Sequence, residues 1–177
     1  MPDRHIELRT PRLLLRPSRP TDAARFTEIQ SNWNVTRMLR MAAWPVVPAE
    51  MAAWVDEHAR EWSAGTAYRF AVERDGLVIG LCDLDEIEGP RGDLGYWYDE
   101  ASWGQGLATE AARAVVRFGL ETLGLTRLRS GHAADNAASG RVLIGLGFRP
   151  GAETMKFSRP QGREIAHLAY MLEKSGA

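Results

Sequence analysis

Two glycines separate a strand-like segment from a helix-like segment in the middle of the chain, and this junction constrains the fold most. Leu94 to Tyr98 has the pattern of a strand, and the run Trp103–Glu110 follows it. Glycine lets a backbone turn tightly and lets a ligand approach the amides without meeting a Cβ atom. The first N–H groups of a helix lack internal partners, and the helix dipole adds positive potential there. The junction therefore predicts an anion site, of the kind that most often holds phosphate.

The length and charge of the chain narrow the classes of protein to consider. The 177 residues predict a single domain, 1–177, large enough to bury its own core. A formal net charge of -1 argues against broad electrostatic binding to nucleic acid or to acidic membranes. The single cysteine, Cys82, excludes an internal disulfide and lies in an apolar run, so we expect a buried thiol. No stretch approaches the roughly 20 apolar residues that span a bilayer, and we expect a cytoplasmic protein.

The hydrophobic pattern predicts an α+β fold with a mixed sheet. The predicted elements, in chain order, are a strand at Leu13–Arg16, a helix after Asp22, a helix from Pro48 to Gly65, strands at Tyr68–Glu73, Leu77–Leu84 and Asp93–Tyr98, a helix at Leu107–Leu123, a strand at Arg127–Gly131, a helix at Ser139–Leu146 and a final hairpin of Ala152–Phe157 with Glu164–Leu172. Trp33–Val47 is predicted to be irregular, and Asp85–Gly92 to be a polar connection. Hairpins in the first half and alternating strands and helices in the second indicate one mixed sheet.

A second block of sequence indicates which kind of phosphate compound the glycine turn would bind. A predicted strand ends in Asn136-x-x-Ser139, a short helix follows, and Leu146-Gly147-Phe148 closes it. Together with the strand at Leu13–Arg16, the two blocks resemble the GNAT N-acetyltransferase superfamily, and most closely its RimJ/RimL-like branch. The resemblance runs from about Ile6 to Glu173. It implies a mostly antiparallel sheet with a V-shaped opening between the central strands, flanked by helices.

The resemblance also implies a cosubstrate, acetyl-coenzyme A, and no metal. Its pantetheine arm would pair with the strand at Leu94–Tyr98, and its pyrophosphate would lie on the amides of the glycine turn. Trp103 stands where most of the superfamily has glutamine or arginine, which leaves the main-chain amides unaffected. The residues that the resemblance assigns to cofactor binding are Trp97, Tyr98, Gly104, Gln105, Gly106, Leu107, Ala108, Thr109, Asn136 and Ser139.

The reaction needs a deprotonated amine and stabilisation of a departing thiolate. Many members of the superfamily place a tyrosine seven residues after the asparagine, but this chain has Leu143 there. Ser139 is therefore the candidate proton donor, although it also suits the N-cap of the following helix. Asp93 is the candidate general base, with Glu86 as its competitor and water as a third option.

The acceptor and two competing functions stay open at this point. A small-molecule amine and a protein N-terminal amine both fit, and Trp33–Pro45 falls where the family places its acceptor wall. His132 is a base, a substrate contact or a structural histidine, and the protein is expected to be a monomer or a homodimer. One alternative is a catalytically weak module that binds acetyl-coenzyme A. The other is an unrelated nucleotide binder, which the missing Lys-Ser/Thr after the glycines disfavours.

Overall fold

The central feature of the fold is one eight-stranded sheet, seen in a computed structural model that describes residues 6–174. The strands lie in the order β1-β2-β3-β4-β5-β6-β8-β7, and every neighbouring pair is antiparallel except β5 with β6. The strands are β1 (Leu8–Arg9), β2 (Leu14–Pro17), β3 (Tyr68–Arg74), β4 (Leu77–Glu88), β5 (Arg91–Tyr98), β6 (Arg127–Ala133), β7 (Arg149–Ser158) and β8 (Arg163–Glu173). The predicted mixed, mostly antiparallel sheet is confirmed.

Five α-helices flank the sheet in the described part of the chain. They are α1 (Ala23–Gln30), α2 (Trp33–Thr36), α3 (Pro48–Ala64), α4 (Leu107–Arg117) and α5 (Ala137–Gly145). Proline opens α3 and left-handed Gly65 closes it, as the sequence predicts. Among residues 6–174, none of the helices is both long and apolar enough to cross a membrane.

The two faces of the sheet pack against different helices. Successive residues of a strand point to opposite faces, so Cys82 enters the core beside α4 while Leu81 enters the core beside α1 and α3. This double burial explains why the first half of β4 is continuously apolar. Val115 and Phe26 anchor the two cores and are fully buried. Burial of each such side chain contributes about 1.5–3 kcal/mol to stability. The thiol of Cys82 is buried, as predicted.

The boundaries differ from the predictions where polar residues or unusual turns intervene. Asp85–Gly92 is not a connection, because β4 continues to Glu88 and β5 begins at Arg91. Burial alternates along this extension, but Ile87 is its only apolar side chain, so its composition resembles that of a loop. The helix from Leu107 is regular only to Arg117 and then continues as a π-helical turn. A four-residue helix, α2, and the two-residue β1 were not predicted.

Candidate active site

The sheet opens between β5 and β6. These parallel strands pair only from Arg91 with Arg127 to Asp93 with Arg129. Beyond that point each strand continues on its own outer neighbour, β5 on β4 and β6 on β8. Across the opening, the Ser130 hydroxyl donates to the Leu94 carbonyl at 2.8 Å. The opening leaves the inner edge of β5 accessible to an extended ligand, as the resemblance implies.

The glycine turn lies where β5 delivers the chain to α4. Gly104 and Gly106 have φ angles of 72° and 75°, a left-handed conformation that residues with a Cβ atom rarely adopt. Gly106 is the N-cap residue of α4, and a Cβ atom added at Gly104 would meet nothing within 4 Å. The Trp103 indole N–H donates to the Tyr98 carbonyl at 3.0 Å, which ties the turn to the end of β5. The turn therefore presents helix-terminal amides to open space.

A clamp from the far N-terminus holds this turn from outside. Arg12 donates from Nη1 to the Gln105 carbonyl at 2.9 Å and from Nε to Glu110 at 2.6 Å. The Thr10 hydroxyl donates to the same carboxylate at 2.6 Å. Partial burial opposes ionisation of Glu110, but the hydrogen bonds from Thr10 and Arg12 outweigh it and lower the pKa of Glu110. These contacts span about a hundred residues of sequence, and the sequence pattern gave no sign of them.

Asn136 and Ser139 lie together at the start of α5, and Asn136 rather than Ser139 caps this helix. The Asn136 side chain accepts a hydrogen bond from the Ser139 backbone N–H at 3.2 Å, so Asn136 is the N-cap. The prediction that Ser139 caps this helix is wrong, because α5 begins at Ala137 and Ser139 is already inside its first turn. The Ser139 hydroxyl is thereby left for another partner.

That partner is Tyr96, which sequence analysis missed. The phenol oxygen of Tyr96 lies 2.8 Å from Ser139 Oγ and 3.3 Å from the Ser139 carbonyl oxygen. Burial raises the pKa of Tyr96 above its usual value, although the hydrogen bond with Ser139 acts in the opposite direction. The phenol therefore stays protonated at neutral pH and keeps a hydrogen to donate.

Asp83 and Asp85 line the opposite side of the site. Arg69 on β3 bonds Glu61 at 2.6 Å and Asp83 at 2.5 Å, and it lies 3.3 Å from Asp85. Its guanidinium also covers the Trp54 ring at 5.2 Å. One guanidinium thus faces three carboxyl groups. The group as a whole is negative when all three are ionised, which favours a cation nearby.

Asp85 is the member of this group whose pKa lies near neutral pH. Burial and the neighbouring charge of Asp83 raise the pKa of Asp85 to about 7, while Arg69 acts to lower it. A third of its side chain is exposed, and it lines the cavity. Asp93, the predicted base, lies opposite Asp85 on β5 but is bound to Arg129 at 2.7 Å and does not line the cavity. The geometry gives Asp93 no direct access, and its catalytic role stays a prediction.

The two histidines near the opening differ in character. His132 is buried, with Nδ1 2.7 Å from the Ala133 carbonyl oxygen and Nε2 3.3 Å from the Tyr170 hydroxyl. Both ring nitrogens thus have partners within the protein, which favours a structural role for His132. Both histidines line the cavity, but the buried Nδ1 of His167 has no hydrogen-bond partner within residues 6–174. Burial, together with the charges of Lys156 and Arg40, lowers the pKa of His167 to about 4.

One cavity of about 1260 Å³ joins the turn, the opening and the carboxylates. Gln105 does not line it, because its side chain bonds Ala101 and Arg74 outside. Trp97 packs edge-to-face on Phe26 and Tyr98 is almost wholly buried, so both side chains belong mainly to the cores. Every predicted cofactor residue except Gln105 nevertheless lines the cavity, namely Trp97, Tyr98, Gly104, Gly106, Leu107, Ala108, Thr109, Asn136 and Ser139.

The half of the cavity that the resemblance assigns to the acceptor lies on the face of the sheet that carries α1 and α3. Met38, Met51 and Trp54 line it, as does Trp97, with the carboxylates at its base. Much of the predicted wall segment also reaches it, at residue 35 and at residues 38–43. Trp33 and Trp44 instead contact each other with tilted rings, their centroids 5.0 Å apart, and do not line the cavity. Over the described part of the chain, no three His, Cys, Asp or Glu side chains are grouped to hold a metal.

Comparison with known proteins places this geometry in context. The acetyltransferase (GNAT) domain family matches residues 12–149. The uncharacterized N-acetyltransferase p20 of Bacillus licheniformis is 28% identical over 173 residues, covering 94% of this chain and 96% of p20. The RimL ribosomal L7/L12 alpha-N-protein acetyltransferase, solved with coenzyme A, has a TM-score of 0.85 at 17% identity, covering 95% of this chain and 98% of that one. Mycobacterium smegmatis RimJ, solved with a CoA-disulfide, has a TM-score of 0.82 at 21% identity, covering 91% and 81%. These structures share the fold of this chain.

Proposed function

Because this chain belongs to the GNAT family of acetyltransferases, we propose that it transfers the acetyl group of acetyl-coenzyme A to a primary amine by direct attack in a ternary complex. The observation that carries the proposal is the continuity of the cavity. It joins the amide-lined turn at Gly104–Gly106 to the carboxylates at Asp83 and Asp85 through the opening between β5 and β6. A donor and an acceptor bound from opposite sides of the sheet would meet in that opening.

The chemistry of the glycine turn and of the β5 edge supports acetyl-coenzyme A as the cosubstrate. Its pyrophosphate would lie on the amides of the glycine turn, where the two left-handed glycines keep side chains out of the way. Its pantetheine arm would follow the inner edge of β5, which has no strand partner beyond Asp93, as an added strand. The complexes of RimL and RimJ with forms of coenzyme A support this assignment by analogy of fold.

Asp85 is our candidate for the group that takes the proton from the amine. A general base works best when its pKa lies near the working pH, and Asp85 has a pKa of about 7. It lies on the wall of the cavity beside the cation-favouring carboxylates, and an alkylammonium ion would be attracted there. Asp93 acts through charge only, because its repulsion contributes to the raised pKa of Asp85.

The chemical step needs no covalent enzyme intermediate. The neutral amine attacks the thioester carbonyl, the C–N bond forms, the C–S bond breaks, and the electron pair stays on sulfur. Ser139 lines the cavity, and in this proposal its hydroxyl donates to the developing thiolate. Asn136 orders this end of the site by capping α5.

A protein N-terminal amine is the acceptor favoured by the comparisons, because RimL is described as an alpha-N-protein acetyltransferase. A small-molecule amine remains the second candidate, since the cavity wall combines apolar side chains with carboxylates in either case. We propose that the whole chain acts as one domain, in the cytoplasm, as a monomer or a homodimer.

The test is a turnover assay on the purified protein. Acetyl-coenzyme A is mixed with a panel of N-terminal peptides, polyamines, aminoglycosides and amino acids, and mass spectrometry follows acetylated products. Acetylation of any amine at an enzyme-like rate supports the proposal. Binding of acetyl-coenzyme A without turnover on any acceptor favours the catalytically weak binding module, and binding of neither donor nor acceptor refutes both.

A further inference from the structure

We propose that Tyr96 is a positioning residue that holds the Ser139 hydroxyl with its hydrogen directed at the departing sulfur. The inference rests on the proposed function and assigns a residue that neither sequence motif contains. Tyr96 projects from β5, one arm of the opening, and Ser139 lies on α5. Their oxygens are 2.8 Å apart, and both residues line the cavity.

The direction of this hydrogen bond decides what Ser139 can do. A hydroxyl has one hydrogen to donate and two lone pairs with which to accept. If Tyr96 donates to Ser139 Oγ, the hydrogen of Ser139 remains available to a ligand. The phenol has one alternative acceptor in the same residue, the Ser139 carbonyl oxygen, at a longer 3.3 Å. Donation to Oγ therefore has the better distance.

Nothing else competes for the Ser139 hydroxyl in the described part of the chain. Its only hydrogen bond there is with Tyr96, and the backbone N–H of Ser139 is already used by Asn136. The helix cap fixes the backbone of Ser139, and the phenol fixes its side chain. The burial that raises the pKa of Tyr96 keeps the phenol a donor across the working range of pH.

The arrangement replaces the tyrosine that many members of the superfamily place on the helix, seven residues after the asparagine. The corresponding position, Leu143, is fully buried in the main core, so its side chain points away from the cavity. The phenol of Tyr96 reaches the same end of the site from β5. In this chain it acts through serine rather than on the sulfur itself.

The proposed step balances without moving a proton from Tyr96 or Ser139. As the C–S bond breaks, the thiolate accepts a hydrogen bond from Ser139, and Ser139 accepts one from Tyr96. The proton lost by the amine goes to Asp85 and then to solvent, and the thiolate takes a proton from solvent on release. Each hydrogen bond to the charged sulfur stabilises the thiolate over the thiol, so it lowers the pKa of the bound thiol.

The experiment measures the pKa of the coenzyme A thiol bound to the protein, from the ultraviolet absorbance of the thiolate. Desulfo-coenzyme A supplies the baseline for the tyrosines of the protein. The variants are Tyr96→Phe, Ser139→Ala, their double mutant, and Ser139→Thr, which keeps a hydroxyl. Tyr68→Phe is the matched control, since Tyr68 is a buried tyrosine in the core away from the cavity. Thermal unfolding confirms that each variant is folded.

We expect Ser139→Ala to raise the pKa of the bound thiol by about one to two units, the equivalent of losing one charge-assisted hydrogen bond. Tyr96→Phe should raise it in the same direction, and the double mutant should equal Ser139→Ala, because Tyr96 acts only through Ser139. Ser139→Thr and Tyr68→Phe should match the wild type. An unchanged pKa in Tyr96→Phe, or shifts that add in the double mutant, would overturn the inference while leaving the proposed function standing. A wild-type protein that does not bind coenzyme A would end both.

Discussion

The assignment of Asp85 leads to a quantitative prediction about pH, because its pKa is about 7. A carboxyl group with that pKa is about one tenth ionised at about pH 6 and about nine tenths ionised at about pH 8. Since only the ionised form accepts the proton, kcat/KM should rise about tenfold across that interval and then level off. Asp85→Asn preserves the size of the side chain and removes the base, so it should lower kcat/KM by about 100-fold or more.

The assay follows release of the coenzyme A thiol at each pH, with an acceptor amine whose own pKa lies above the range tested. Asp93→Asn is the informative control, because Asp93 faces Asp85 across the strand pair and contributes to its raised pKa. Removing that charge should shift the profile to lower pH while keeping the plateau rate. Wild-type activity and an unchanged pH profile of kcat/KM in Asp85→Asn would show that Asp85 is not the general base. Loss of the plateau in Asp93→Asn would return the role of base to Asp93.

Three further predictions concern stability. The pKa of His167 is lowered to about 4, so its neutral form stabilises the fold above about pH 6.5, and this contribution is lost as pH falls toward 4. His167→Gln should therefore reduce the fall of Tm between about pH 6.5 and about pH 4, measured by thermal unfolding at a series of pH values. Leu143→Tyr should cost about 1–3 kcal/mol in urea unfolding, because it overpacks a fully buried site. Glu110→Gln should cost about 1–3 kcal/mol near pH 7 by removing a charge that accepts bonds from Thr10 and Arg12, and the difference from wild type should vanish when Glu110 is protonated in acid.

The sequence predicts the local parts of the site and misses the parts built by distant contacts. The glycine turn and the block from Asn136 to Ser139 are contiguous in sequence, and their backbone conformations follow from local preferences. The glycine turn before α4 and the helix start at Leu107 are where the pattern places them. The clamp of Arg12 on Glu110 joins residues 98 apart, which no periodicity reveals.

The choice between Asp85 and Asp93 shows a second limit. It depends on the extension of β4 to Glu88, which puts Asp85 in register with Asp93 and next to Arg69. A polar strand end and a polar loop have similar compositions, so the pattern alone cannot separate them. Tyr96 was missed for a related reason: a strand residue with an apolar-looking neighbourhood gives no sign of the serine that it meets across the opening.

The most direct test of the account is a calorimetric titration of coenzyme A into the wild type, Gly106→Trp and Gly124→Trp. Gly106 and Gly124 have nearly equal left-handed φ angles, 75° and 73°, so the backbone strain of substitution is matched. Only Gly106 lines the cavity. We expect Gly124→Trp to bind coenzyme A with wild-type affinity and Gly106→Trp to bind it at least tenfold more weakly, a loss of about 1.4 kcal/mol. Equal affinity in the two variants, or no binding to the wild type at millimolar coenzyme A, would contradict it.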